Sequence, residues 1–115
     1  MENNVKVLNV YAMYDNEIKF YDGLVFSQND ESAVSFYLSE FANIIVAMSD
    51  RKDFTEQRDR FMEKIHNASI FKVGSFDHIT GQFVNESCKL VDLFDVSTED
   101  ILAKKLIKKE ERKED

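Results

Sequence analysis

The chain contains no proline, no tryptophan, three glycines and one cysteine among its 115 residues. Without proline we expect no proline-rich linker or recognition segment. The single Cys88 excludes an internal disulfide and indicates a reducing compartment, although one thiol can still pair between two chains. Gly23, Gly74 and Gly81 are too scattered along the chain to cradle a phosphate, so the sequence offers no nucleotide-binding fingerprint.

Long apolar runs are also missing from the sequence. The longest, Ile44 to Met48, is far too short to span a bilayer. The first residues, MENNVKV, lack the basic and then apolar pattern of a signal peptide. We therefore expect a soluble protein in the cytoplasm of the cell that makes it, with no membrane partner.

Hydrophobic residues make up 43% of the chain, and ten Phe with four Tyr provide large side chains for a core. Charge is distributed unevenly. Residues 1–103 hold 9 Lys+Arg and 18 Asp+Glu, a formal charge of −9, whereas residues 104–115 hold 6 basic and 4 acidic residues, a charge of +2. We expect one domain over 1–103, followed by a charged C-terminal helix end or disordered tail over 104–115.

The first half of the chain predicts a hairpin followed by two helices. Residues 5–14 are apolar at nearly every position, which is typical of a strand covered on both faces or pairing centrally. A second strand is expected over 17–26, with a bulge or kink at Asp22-Gly23. A helix should begin near residue 30, because its apolar residues recur with a 3.6-residue period, and a shorter charged helix should follow between Phe54 and Ile65.

The second half predicts more strands and a last helix. We expect a strand over 69–76, a loop over 77–81 and a strand region over 82–94 that is either two short strands or one with an irregular middle. The segment Ser97 to Asp100 has the form of a capping box that starts a final helix. The fold class is therefore α+β, a small antiparallel sheet of four to five strands in the order β-β-α-α-β-β-α, with helices packed on one face.

Few residues are suited to metal binding or catalysis. His66, His78 and Cys88 form no ligand pair at i, i+4 and no Cys-x-x-Cys motif, so we expect packing or solvated histidines, no metal site and no cofactor. Cys88 lies in a strand pattern, where a buried small hydrophobic residue is the ordinary interpretation. The carboxylates show no catalytic spacing. We expect no enzymatic activity.

Basic and aromatic residues alternate in two predicted strands, at Lys19-Phe20-Tyr21 and at Phe71-Lys72-Val73. Such strands can stack unpaired bases and contact phosphates. The alternative is that Phe20 and Phe71 belong to the core and the lysines solubilise an edge. The acidic body favours this alternative, because nucleic-acid binding sheets usually have a basic surround. The densest basic group is in the tail: Lys104, Lys105, Lys108, Lys109 and Arg112.

Three stretches, in their order and spacing, resemble the small nonstructural protein of gokushovirus-type microviruses, which are single-stranded DNA phages of the Microviridae. They run from Tyr11 to Asp15, from Phe26 to Val34 and from Phe71 to Gly81. The strand that ends in Gly74-Ser75-Phe76-Asp77, with a turn ending in glycine, is the most diagnostic. The chain departs from the family between Met48 and Ala68, where its connector is longer and more charged, and in its charged tail.

The resemblance implies a non-enzymatic accessory protein that assists single-stranded DNA genome replication in the cytoplasm of an infected bacterium. Single-stranded DNA would be bound weakly, through Lys19, Tyr21, Lys72 and the basic residues of the tail. No catalytic residue carries over, because the shared residues occupy strand, cap and turn positions.

An alternative function is an acidic protein-interaction module. An acidic surface attracts basic proteins at long range, so the partner would be a phage replication protein or a host factor. Self-association is a third possibility, because the apolar first strand and an exposed sheet edge could pair two copies into a homodimer.

Overall fold

The computed structural model describes residues 7–103, which form a four-stranded antiparallel sheet and three helices. The elements in chain order are β1 (Val7–Asp15), β2 (Phe20–Ser27), α1 (Asp30–Ala47), α2 (Phe54–His66), β3 (Ala68–Asp77), β4 (Phe83–Asp92) and α3 (Thr98–Leu102). The strand order is β2-β1-β3-β4, so β1 and β3 are central. The predicted α+β class is confirmed. The predicted tail, residues 104–115, lies outside the described residues.

The β1–β2 connection is longer than the sequence predicted. The second strand begins at Phe20 and not at Glu17, because Asp15 organises a turn between the two strands. Its Oδ1 atom accepts hydrogen bonds from the backbone N–H groups of Glu17 at 2.9 Å and Ile18 at 3.1 Å. Lys19 closes the turn with a positive φ of 59°. Lys19 therefore lies in a turn and not on a strand.

The bulge predicted at Asp22-Gly23 is confirmed. Met13 pairs with Asp22 and Tyr11 pairs with Val25, so β2 has one residue more than β1 across this interval. Gly23 has a φ of 64°, a value that glycine adopts at little cost. Its carbonyl oxygen accepts a hydrogen bond from the phenol of Tyr37 on α1. The bulge is thus the point where the edge strand is attached to the long helix.

The helix starts follow the local sequence signals. The Asn29 side chain caps α1 by accepting a hydrogen bond from the Ser32 N–H at 2.8 Å. At α3, the side chains of Ser97 and Asp100 cap each other's backbone N–H groups, which confirms the predicted capping box. Within residues 7–103, no helix is both long and apolar enough to cross a membrane.

All three helices pack on the same side of the sheet. Tyr11 and Ile70 are fully buried there beneath side chains from each helix. From the helices, the buried residues include Tyr37, Leu38, Phe41 and Ile45 of α1, Met62 and Ile65 of α2, and Ile101 of α3. Burial of one of these apolar side chains contributes about 1.5–3 kcal/mol. This core fixes which face of the sheet the helices cover.

The fourth strand is continuous, with an irregular middle. It pairs with β3 throughout, but its register shifts between Ile70 and Phe71 and again between Lys72 and Gly74. Of the two alternatives left by the sequence, the single irregular strand is confirmed. The connecting loop ends at Gly81, with a φ of 75°, and the Gly81 N–H donates a hydrogen bond to the Asp77 carbonyl oxygen at 2.8 Å.

Two buried phenols should make the protein less stable at alkaline pH. Burial, and then the hydrogen bond to Asp30, raise the pKa of Tyr11 from 10.0 to about 12, and burial raises the pKa of Tyr37 as well. The unfolded chain therefore loses these protons first. We expect the free energy of unfolding to decrease above about pH 10, by up to about 1.4 kcal/mol per pH unit for each phenol.

Urea unfolding of the wild type and of Tyr11→Phe at several pH values between 9 and 12 measures this effect. The variant lacks one titrating phenol, so its stability should decrease less steeply with pH, although it starts lower by about 1 kcal/mol because a hydrogen bond is lost. Equal slopes in the two proteins would contradict the assignment.

Gly74 should tolerate no side chain. A Cβ atom at this position would overlap the ring of Phe83 and approach the Val84 carbonyl oxygen. We expect Gly74→Ala to lower the free energy of unfolding by about 1–3 kcal/mol, since two neighbouring strands would have to separate. Thermal and urea unfolding measure the loss. Ser87→Ala, at an exposed position on the adjacent edge strand β4, is the control and should change stability by less than about 0.5 kcal/mol.

Candidate functional site

The sheet has one face that none of the described helices covers. Side chains alternate between the two faces of a strand, so Val10, Ala12 and Tyr14 of β1 point away from Tyr11 and the helices. We call this side the open face. The strand pairings place the following residues on it: Leu8, Val10, Ala12, Tyr14, Tyr21, Phe26, Ser69, Phe71, Gly74, Phe76, Phe83, Asn85, Lys89 and Asp92.

Three aromatic rings form a cluster at one end of the open face. Tyr14, Tyr21 and Phe71 come from the adjacent strands β1, β2 and β3. The Tyr14 centroid lies 4.6 Å from that of Tyr21 and 5.7 Å from that of Phe71, and the Tyr21 and Phe71 centroids are 5.7 Å apart. Tilted and edge-to-face contacts of this kind stabilise aromatic pairs. We call these three residues the ring cluster.

The other end of the open face is also apolar. Val10 is 3% exposed and lies opposite Phe26, whose side chain is 56% exposed. On the same face, at the opposite edge strand β4, the Phe83 ring covers Gly74 and remains 45% exposed. Buried small residues thus lie between large rings that are in contact with solvent. A single exposed apolar residue needs no explanation, but a contiguous group of them is typical of an interaction site.

The charged side chains on the open face neutralise each other. Lys89 Nζ lies 3.2 Å from Asp92 Oδ2, and the Ser69 hydroxyl donates a hydrogen bond to Asp92 Oδ1 at 2.5 Å. The hydrogen bond from Ser69, and then the Lys89 ammonium, hold the pKa of Asp92 below its usual range. The Asp92 carboxylate is therefore ionised at neutral pH, and because Lys89 and Asp92 have opposite formal charges, the described part of the open face has no formal net charge.

The structure separates the residues that the sequence proposed for nucleic-acid binding. Tyr21 lies on the open face within the ring cluster. Lys72 pairs with Tyr11, so its side chain leaves the sheet on the helix side, where its Nζ atom is 3.5 Å from Glu86 Oε1. Lys19 lies in the β1–β2 turn. The remaining candidates lie outside the described residues: Lys104, Lys105, Lys108, Lys109 and Arg112.

The core assignment of Phe20 and Phe71 is wrong. Phe20 is 57% exposed at the start of the edge strand, and Phe71 is half-buried on the open face. Neither belongs to the core beneath the helices. The reason is the pleat, since Phe71 and Lys72 are consecutive on a strand and must point to opposite sides. The Lys72 side chain therefore lies on the helix side, and the Phe71 ring lies on the open face with Tyr14 and Tyr21.

Cys88 is exposed, so its assignment as a buried hydrophobic residue is also wrong. Cys88 lies on the edge strand β4, where it pairs with Lys72 of β3 and remains exposed to solvent. Of the histidines, His66 donates a hydrogen bond from Nε2 to the Val96 carbonyl oxygen at 2.7 Å, and His78 packs edge-on against Phe76. Within residues 7–103, no group of three or more His, Cys, Asp or Glu side chains could hold a metal ion.

A separate cleft of about 390 Å³ lies on the helix side, at the hairpin end of the sheet. Its walls are mainly apolar and come from the hairpin and from α1 and α2: Met13, Asp15, Ile18, Phe20, Asp22, Gly23, Phe41, Phe61, Lys64, Ile65 and Ala68. Most of these apolar residues also pack against the core. The cleft is confined to one end of the sheet, whereas the open face extends across all four strands.

The composition of β1 is the sequence feature that points to the open face, because it predicted a strand covered on both faces or pairing centrally. Residues 7–14 of β1 are hydrophobic at seven of eight positions, and the exception, Asn9, lies on the helix side. An antiparallel strand with one solvated face normally alternates apolar and polar residues. β1 does pair centrally, with β2 and β3, and its outward residues Val10 and Ala12 are buried although no described helix covers them. The identity of the cross-strand neighbours could not be read from the sequence.

Comparisons of this chain with protein-family models, with curated proteins and with solved structures find no match.

Proposed function

We propose that this chain is a non-enzymatic binding protein whose working surface is the open face of its sheet. The observation that carries the proposal is the apolar character of the outward positions on β1 and β3, which in a sheet exposed to water would be polar. Side chains of this kind gain free energy when a partner removes them from water. The biological setting suggested by the sequence resemblance is accessory work in single-stranded DNA phage replication, in the cytoplasm of the infected bacterium.

A protein surface suits the open face better than a phosphate backbone does. Residues 7–103 hold 8 Lys+Arg and 17 Asp+Glu, a formal charge of −9. The one cation that the described strands place on the open face, Lys89, is already paired with Asp92. Counterion release would therefore contribute little to the free energy of binding at this face, whereas burial of its apolar side chains would contribute much more. The acidic body adds long-range attraction for a basic partner protein and faster association with it.

The matched variants Phe26→Glu and Phe36→Glu test the proposed surface. Both phenylalanines are exposed, at 56% and 48%, but Phe26 lies on the open face and Phe36 lies on α1. Each variant is tagged and exposed to a bacterial lysate that also contains untagged chain. The wild type and Phe36→Glu should retain the same proteins, whereas Phe26→Glu should lose them because a carboxylate cannot be buried without a partner. Retention of the same proteins by all three would contradict the proposed surface.

Single-stranded DNA is the second candidate ligand, and the ring cluster is the observation that favours it. Three aromatic residues on adjacent strands offer a platform for unpaired bases, and Lys89 lies directly opposite Phe71 on the next strand. Stacking on such a platform contributes about 1–3 kcal/mol per base. Basic residues of the tail would supply the phosphate contacts that the acidic body lacks.

Fluorescence anisotropy with a labelled oligothymidine strand across a salt series tests this candidate. Tyr21→Ala should weaken binding by about 5-fold to 150-fold, the equivalent of one lost stacking contact. Deletion of residues 109–115 should flatten the salt dependence by about 0.7 units of slope per lost phosphate contact, the value for single strands. Lys72→Ala is the control and should have little effect, since Lys72 is on the helix side beside Glu86. No binding of the wild type at low salt removes this candidate.

A further inference from the structure

We propose that the open face is covered by the open face of a second copy of this chain. The two sheets would pack across a two-fold axis into four layers, with helices outside and sheets inside. This inference rests on the proposed function, because it names the partner of the same surface. It differs from the edge pairing considered from the sequence, since β1 is a central strand that already pairs with β2 and β3.

The residue pattern of the central strands is that of a sheet buried on both sides. On β1, the outward side chains are Leu8, Val10, Ala12 and Tyr14, and none of them is charged. On β3, Phe71 and Phe76 point the same way. Inner faces of two packed sheets have this composition, because side chains from both sheets interdigitate into one core. A single solvated face does not.

The distribution of charge favours a second copy of this chain over a nucleic acid or a strongly charged protein as the partner of the open face. The chain carries a formal charge of −7, so two copies repel each other in general. The open face is the exception, because its described charges, Lys89 and Asp92, form an ion pair 3.2 Å apart. Two such neutral faces can meet without opposing like charges. A nucleic acid or a strongly charged protein would gain no complementary charge from this surface.

The size of the open face is sufficient for a specific dimer. Four strands of 8 to 10 residues form a surface about 30 Å long and about 19 Å wide. Two faces together would bury on the order of 1,100 Å² or more, which exceeds the roughly 1,000 Å² expected of a biological interface. Packed sheets lie about 10 Å apart, and rings of the size of Phe26 and Phe83 fill that space.

Sedimentation of the purified full chain at micromolar concentrations tests the proposal. The wild type should sediment with twice the 13.4 kDa mass of one chain. Phe26→Glu places two unpaired carboxylates in the dimer interface, so its dimer dissociation constant should rise by at least about 100-fold. Phe36→Glu, on α1, should remain a dimer. Circular dichroism shows whether each variant folds, and Tyr21→Lys replaces Phe26→Glu if the latter does not.

Oxidation of Cys88 distinguishes face packing from pairing of two β4 edges. Cys88 lies near the middle of β4 and points to the helix side. In the face-to-face dimer, the two thiols are separated by both sheets and by more than the 7 Å between Cα atoms that a disulfide allows. In a dimer that pairs two β4 edges about a two-fold axis, the thiols would be adjacent and would form a disulfide.

Each outcome decides the proposal. A dimer that Phe26→Glu dissociates and that oxidation does not cross-link supports it. A wild type that is a monomer at every concentration overturns it, as does a dimer that persists in Phe26→Glu, whether or not oxidation cross-links it. If the chain is a monomer but Phe26→Glu still loses other proteins from the lysate, the proposed function stands and only the identity of the partner is wrong. If a monomer binds labelled strand through Tyr21, the occupant is single-stranded DNA.

Discussion

The central strand β1 has apolar side chains on both sides of the sheet, and the rest of the structure depends on how each side is buried. Tyr11 and Met13 face the helices, whereas Val10 and Ala12 face the other way. Both edges of β1 are hydrogen-bonded, to β2 and to β3. A strand in this position cannot expose either face without a cost in free energy, since each buried methylene contributes about 0.8 kcal/mol.

The helices cover one side only, because polar groups attach α1 to the sheet at two places. The Tyr11 phenol donates a hydrogen bond to Asp30 Oδ1 at 2.6 Å, in the first turn of α1. The Tyr37 phenol donates to the Gly23 carbonyl oxygen at the β2 bulge. Buried phenols need such partners. These two contacts align α1 with the hairpin, and the helices that follow complete a core on the same side.

The distribution of charge follows from this arrangement. Acidic residues populate the turns and the helix surfaces, which gives the body its net charge, while the open face keeps one compensated ion pair. Six aromatic residues lie on this face, whereas Phe20, Phe36 and Phe94 are exposed elsewhere. A surface that is apolar and has no formal net charge gains more binding free energy from apolar contact than from electrostatic attraction. For this reason the proposal of a protein partner, and of a second copy in particular, has more physical support than that of a nucleic acid.

The sequence by itself determined the features that depend on neighbours along the chain. The Asn29 and Ser97 caps, the period of α1, the Gly23 bulge and the Asp77–Gly81 loop all arise from side chains within a few residues of one another. Tertiary structure alone decided the strand order and register, and hence which residues share a face. A shift of one residue transfers every side chain to the other side. That is why Phe71 joined Tyr14 and Tyr21 while its neighbour Lys72 did not, and why Cys88 on the edge strand remained exposed.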